Sequence, residues 1–143
     1  MSTQIGQERK RLGLRILTPE GSVYDDLAYM VIAPSVEGEV GILPRHTPFI
    51  AFLRPGETRV KLLDDTEVVF ATSEGYVSVE EDRVLVLVEQ AERADEIDRE
   101  RAQAALERAI ADLDAAGDDD VKRVAAESAR RRAENRLRVA DRG

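Results

Sequence analysis

The sequence contains no cysteine and no tryptophan, and its 143 residues include one histidine. Without thiols there is no disulfide framework, no thiolate metal site and no cysteine nucleophile, a pattern that suits a reducing compartment. A Ser-His-Asp triad or a His-rich metal centre would have to be built around His46 alone, which stands between Arg45 and Thr47 in a proline-flanked loop. An exposed or turn-packed imidazole is the plainer reading. Aromatic residues make up 4% of the chain, so the core must be assembled from Val, Ile, Leu and Ala. Positive charge is in deficit: the formal net charge of −8 argues against a phosphate-backbone binder, and so against nucleic acid as a partner. No run of ~18 apolar residues could span a bilayer, and Met1–Lys10 lacks the apolar core of a signal peptide. The expectation is a soluble chain, held at a membrane only through other proteins.

Catalytic signatures are missing as well. Gly38 and Gly41 are followed by apolar residues and proline, not by the Gly-Lys of a phosphate loop. The paired acids Asp25-Asp26, Asp64-Asp65 and Glu80-Glu81-Asp82 fall at turns, where solvation explains them. Asp118-Asp119-Asp120 lacks the alternating ligands and closing Glu of a calcium loop and reads as helix-capping charge. The chain does not read as an enzyme, and no cofactor is required.

What is present divides into two parts. From Leu12 to Val88, short β-branched runs alternate with Gly, Pro and acidic turns, the spacing of a β-sandwich of about 8–10 short strands. Tyr29–Ala33 reads as a strand stopped by Pro34, and Thr58–Leu63 as a half-buried strand with Val60 and Leu62 on one face. Asp64-Asp65 and Glu81-Asp82 each separate two such runs, predicting two hairpins in series, and the nearly all-apolar Arg83–Val88 belongs at the centre of its sheet. Residues 1–11 form an extension and 12–90 the β domain.

Over residues 91–143 the pattern predicts an antiparallel helical hairpin, with helices near 95–115 and 119–139 divided at Ala116-Gly117. Ile97, Ala102, Ala105, Leu106, Ala109, Ile110 and Leu113 mark the inner stripe of the first helix. Val121, Ala125, Ala129, Ala133, Leu137 and Ala140 mark that of the second. The fold class is thus mixed and segregated, β then α. A seam of methyl groups, at ~0.8 kcal/mol per buried CH₂, predicts a hairpin able to leave the β domain without unfolding it. A simple stabilising hairpin is the alternative.

Val36-Glu37-Gly38-Glu39-Val40-Gly41-Ile42-Leu43-Pro44-Arg45-His46-Thr47-Pro48 resembles the most recognisable motif of ATP synthase epsilon subunits. At matching spacing follow Leu53-Arg54-Pro55-Gly56, the run Ala71–Val79, Ala91–Asp98 and a closing Asn135–Ala140, so the resemblance covers about Leu12 to Ala140. It implies a non-catalytic rotor subunit whose sandwich binds the gamma subunit and the c-ring. Its hairpin would extend toward the alpha and beta subunits and inhibit ATP hydrolysis, at the cytoplasmic face of the bacterial plasma membrane. By motif position, Glu39, Gly41, Ile42, Leu43, Pro44 and His46 are the implied interface. Arg45 and Glu74 stand where the family commonly has glycine. Ile97-Asp98-Arg99-Glu100-Arg101-Ala102 resembles part of a regulatory ATP site found in some family members, with Arg108, Arg132 and Arg136 as further arginines. Asp98 and Arg101, three apart, could share a helix face toward one ligand or pair with each other. A stand-alone ATP-sensing module is the alternative function.

Overall fold

The computed structural model describes residues 10–142, and in it the turn-punctuated half becomes ten strands and the alanine-rich half two helices. The extension expected over 1–11 lies outside the described residues but for Lys10 and Arg11. The first five strands are β1 (Leu12–Thr18), β2 (Gly21–Ala28), β3 (Met30–Ser35), β4 (Gly38–Ile42) and β5 (Phe49–Leu53). The others are β6 (Gly56–Lys61), β7 (Glu67–Thr72), β8 (Gly75–Glu80), β9 (Arg83–Val88) and β10 (Ala91–Arg93). They pair in the order β10-β7-β6-β3-β5-β8-β9-β1-β2, with β4 attached to β3, and close into a sandwich. Alternate residues point inward, so Leu12, Leu14, Ile16, Val31, Val60, Phe70, Val77 and Val86 form one buried core. Tyr24 closes it with its ring edge-on to Phe70 at 6.0 Å.

Both acidic turns close hairpins, β6 with β7 and β8 with β9. Glu81 and Asp82, at φ 49° and 60°, form a two-residue loop whose left-handed backbone matches the strand twist. Asp65 takes φ 70° in the other turn, where the Thr66 amide (3.0 Å) and hydroxyl (2.6 Å) donate to Asp64 Oδ1 and hold that carboxyl below its usual range. β9 lies between β8, antiparallel, and β1, parallel, as its unbroken apolar run predicts.

Three expectations are corrected. Pro34 does not stop β3 but lies within it, between Met30–Ile32, which pair with β6, and Ser35, which pairs with β5. The ladder on that side already breaks there, so a residue without an N–H is tolerated. Ala91–Arg93, assigned to the hairpin, instead pairs with β7 as β10, and Ala94–Glu96 is a short 3-10 turn. The helices accordingly run α1 (Arg99–Ala116) and α2 (Asp120–Ala140).

The second helix buries its expected stripe only in part: Ala133 is buried and Ala129, Leu137 and Ala140 are half-buried, but Val121 is 81% exposed and Ala125 is exposed. Ala126, Asn135 and Val139 are buried as well. α2 has two neighbours: alanines face α1, while Asn135 and Val139 face the sheet, and the tip near Val121, beyond the sheet contact, is exposed. On α1, Ile110, expected inside, is 45% exposed next to the buried Ala109. The stop and caps lie where the sequence places them, Gly117 at φ 55° and Asp119 accepting from the Lys122 amide at 3.1 Å. No helix among the described residues is long and apolar enough to cross a membrane.

Gly75 is where β8 starts directly against β9. A Cβ there would lie 2.0 Å from the Leu87 carbonyl oxygen, a backbone atom that cannot step aside. Gly75→Ala is therefore expected to destabilise the sandwich by about 3 kcal/mol, read as a lower urea midpoint with unchanged slope.

Candidate functional site

Two regions gather side chains with no full account in the fold: the contact between hairpin and sandwich, and the outer face of β4 and β5. The first is built on α2. Val139 joins Ala71 and Ala94 in a small second core, with Val69 and Ile97 against it. One helical turn earlier, Asn135 is 2% exposed, and its Nδ2 donates to Gly56 O at 2.9 Å and Thr72 O at 3.2 Å. Gly56 and Thr72 are cross-strand partners at the end of the β6–β7 ladder. The Thr72 hydroxyl is itself satisfied by Thr58 at 2.8 Å. Around this buried amide lie three ion pairs, Arg132 to Glu74 at 2.8 Å, Arg136 to Glu92 at 2.5 Å and Arg142 to Glu57 at 3.0 Å.

Three of the expected arginines converge here. Arg108, Arg132 and Arg136 line a cavity of about 140 Å³ with Gln90 and Asp112. Arg136 also borders a neighbouring cleft of about 380 Å³, where Arg101 joins it beside Glu89 and Glu92. The arrangement gathers arginines, whose guanidinium forks suit phosphate and carboxylate oxygens, around a small space. Asp98 takes a different part from the one expected. Its carboxylate accepts the Arg101 backbone N–H at 3.1 Å as the cap of α1, so it neither shares a helical face with the Arg101 guanidinium nor pairs with it. The late helix start, imposed by the 3-10 turn, is the reason. Ile97 and Ala102 pack, the latter wholly buried.

The second region follows from the Glu37–Pro48 segment. Gly41 lies close against Met30, whose Cε would be 2.9 Å from a Cβ. Glu39 accepts two hydrogen bonds from Arg59, at 3.1 and 3.2 Å. Arg45 adopts φ 68°, a left-handed conformation fixed by its N–H donating to Asp82 Oδ1 at 2.6 Å. This is where the usual glycine is replaced, and the strained backbone is held by a charged acceptor. His46 packs on Phe49, ring centroids 4.9 Å apart, with Nδ1 2.8 Å from Thr47 O. It is a turn-packed imidazole.

Of the expected interface residues, Leu43 is 43% exposed, but Ile42 is fully buried in the core, because alternation along β4 turns it inward. The large exposed apolar side chains are instead Ile50 (71%) and Phe52 (70%) on β5, with Val36 beside them. They border a groove of about 470 Å³ between β4 and β5. β4 pairs with β3 alone, and β5 meets β3 only at Ser35–Leu53, so both strands turn unpaired edges toward this groove. The signal was available in Phe49-Ile50-Ala51-Phe52-Leu53, which is apolar at both parities where a strand with one wet face should alternate.

A nearly closed β-sandwich with an apolar patch on its outer face, carrying a helical hairpin seated through a polar contact, defines a two-part protein. Two family models match these parts separately: the ATP synthase delta/epsilon chain beta-sandwich domain over residues 11–94, and the long alpha-helix domain over residues 95–141. The chain belongs to the ATP synthase delta/epsilon chain family. The epsilon chain of Halalkalibacterium halodurans is 44% identical over 131 residues, covering 92% of this chain and 98% of that one. The epsilon chain of Staphylococcus aureus (strain Newman) is 45% identical over 132 residues, covering 91% and 96%. Among solved structures, a chain of the Euglena gracilis mitochondrial ATP synthase OSCP/F1/c-ring assembly has the same fold, with a TM-score of 0.71 at 24% identity. That likeness covers 87% of this chain and 78% of the other. A chain of the Tetrahymena thermophila mitochondrial central stalk and c-ring follows at a TM-score of 0.58 and 15% identity, covering 92% and 98%.

Asn135→Ala removes both hydrogen bonds of a buried amide, which costs about 1–3 kcal/mol. Limited proteolysis is expected to cut within α2 faster while leaving the sandwich intact. Loss of both together would place Asn135 in the global core instead.

Proposed function

We propose that this chain is a non-catalytic epsilon subunit in the rotor of a proton-translocating ATP synthase. In this reading it sits in the central stalk and helps couple proton flow to ATP synthesis. The sandwich docks on the gamma subunit and the c-ring, and the hairpin restrains ATP hydrolysis when it extends toward the alpha and beta subunits. The complex holds the chain peripherally at the cytoplasmic face of the bacterial plasma membrane. One observation carries the docking half: Val36, Ile50 and Phe52 are exposed beside two unpaired strand edges. A monomer leaves such a surface open only to its disadvantage, and it is continuous with the Glu39–His46 segment that family resemblance assigns to the same interface. The gamma subunit is its occupant in this reading.

Regulatory ATP binding is a second reading, favoured by the convergence of Arg108, Arg132 and Arg136 on one cavity with Arg101 next to it. Phosphate oxygens match that donor set. It requires the two helices to fold together, since Arg132 and Arg136 come from α2 and Arg101 and Arg108 from α1. A stand-alone ATP sensor differs in where the chain is found: a rotor subunit co-purifies with gamma and the c-ring from membranes, a free sensor stays in the cytosol.

Ile50→Asp with Phe52→Asp is expected to weaken binding to purified gamma subunit by about 1,000-fold, because two anchors near the centre of an interface each contribute about 2 kcal/mol. Both side chains are exposed, so the melting temperature should stay within a degree or two; undiminished binding would move the interface elsewhere. Removing the hairpin after Glu96, which keeps β10, is expected to leave rotor assembly intact and raise ATP hydrolysis by the complex. Hydrolysis that does not change would eliminate the inhibitory role.

A further inference from the structure

Arg132 points toward the cavity it shares with Arg108, yet its guanidinium is already engaged. Nη1 lies 2.8 Å from Glu74 Oε1, and both side chains are more than half buried. Glu74 is not a casual surface acid. It sits in the two-residue link between β7 and β8, pinned on both sides by backbone hydrogen bonds. The Ser73 amide donates to Gln90 O at 3.0 Å, and the Glu89 amide donates to Glu74 O at 3.3 Å. The Gln90 amide also donates to Ser73 Oγ at 2.8 Å. Gly75, next in the chain, lies hard against Leu87. The backbone carrying this carboxylate is therefore tied to the sandwich by bonds that do not involve α2. The nearby pair of Arg136 with Glu92 rests on a different strand, so the two bridges hold α2 at separate points of the sheet.

We propose that Glu74 competes with ligand for Arg132: it latches α2 to the sandwich with no ligand bound, and a phosphate-bearing ligand in the cavity lined by Arg108, Arg132 and Arg136 draws Arg132 away from it. The displacement half rests on the regulatory nucleotide reading above, and the latch half does not. A hairpin held this way has a tie to the sandwich that needs no ligand, because Glu74 lies outside the arginine-lined cavity. Ligand binding then exchanges one anion for another at Arg132 and adds contacts at Arg108 and Arg136.

The test uses the full chain, Glu74→Gln and the swap of Glu74→Arg with Arg132→Glu, and reads amide hydrogen exchange over α2 with and without inorganic tripolyphosphate. Without the probe, Glu74→Gln should exchange about 2–5-fold faster from α2 and unchanged in β6–β9, the range for a partly exposed ion pair. The swap should return exchange toward the wild-type rate. Equal exchange in wild type and Glu74→Gln, or no recovery in the swap, overturns the latch. With the probe, exchange should slow more in Glu74→Gln than in wild type. A probe that affects neither protein removes both the displacement and the nucleotide reading, while the exchange comparison without probe still decides the latch.

Discussion

The side-chain amide of Asn135, buried against the end of the β6–β7 ladder, fixes where the hairpin sits. The apolar part of the α2 contact is nearly featureless. Alanine methyls against α1 and Val139 against Ala71 and Ala94 would tolerate a helix displaced by a fraction of a turn. Two carbonyl acceptors at the ends of paired strands do not, since a buried amide that misses them is left unsatisfied. Arg132 and Arg136 flank Asn135 by three residues and by one, so once the amide is seated they stand opposite Glu74 and Glu92. The arginine cavity is a product of that registration.

The sandwich and the hairpin hold together by different means, and their separate tasks follow from this. Within the sheet, continuous ladders and a core of fully buried Leu, Ile, Val and Phe make one cooperative unit. The hairpin adds small residues, one amide and partly solvated ion pairs, each contributing little alone. The outer β4–β5 face thus belongs to the cooperative unit, and the position of α1 and α2 depends on the weaker contact.

Much of the fold was legible in the sequence because its causes are local. Asp65 and the Glu81-Asp82 pair announced their hairpins, Gly117 and Asp119 marked the helix break, and the apolar run Arg83–Val88 gave away a central strand. Where the reading missed, a distant partner had intervened. Pro34 survives inside β3 because two other strands meet there, and Asp98 caps because β10 and the 3-10 turn delay α1. Ile42 was assigned to an interface by its motif, although its inward parity on β4 was already readable; Ile50 and Phe52 were the exposed pair. The bridges from Arg132 to Glu74 and from Arg142 to Glu57 join residues far apart in sequence, and no spacing rule connects them.

The exposed tip at Val121 and Val124 gives the hairpin a mechanical character. α2 spans 21 residues, a rod of about 30 Å, and its grip on the sheet lies in the C-terminal half, from Arg132 to Arg142. A pull on the tip therefore acts through a long arm and loads the contacts one after another, beginning at Arg132. A pull along the helix axis loads them all at once. The same bonds resist the second far better than the first, so a neighbour that catches the tip can peel away a helix that sliding motion would leave in place.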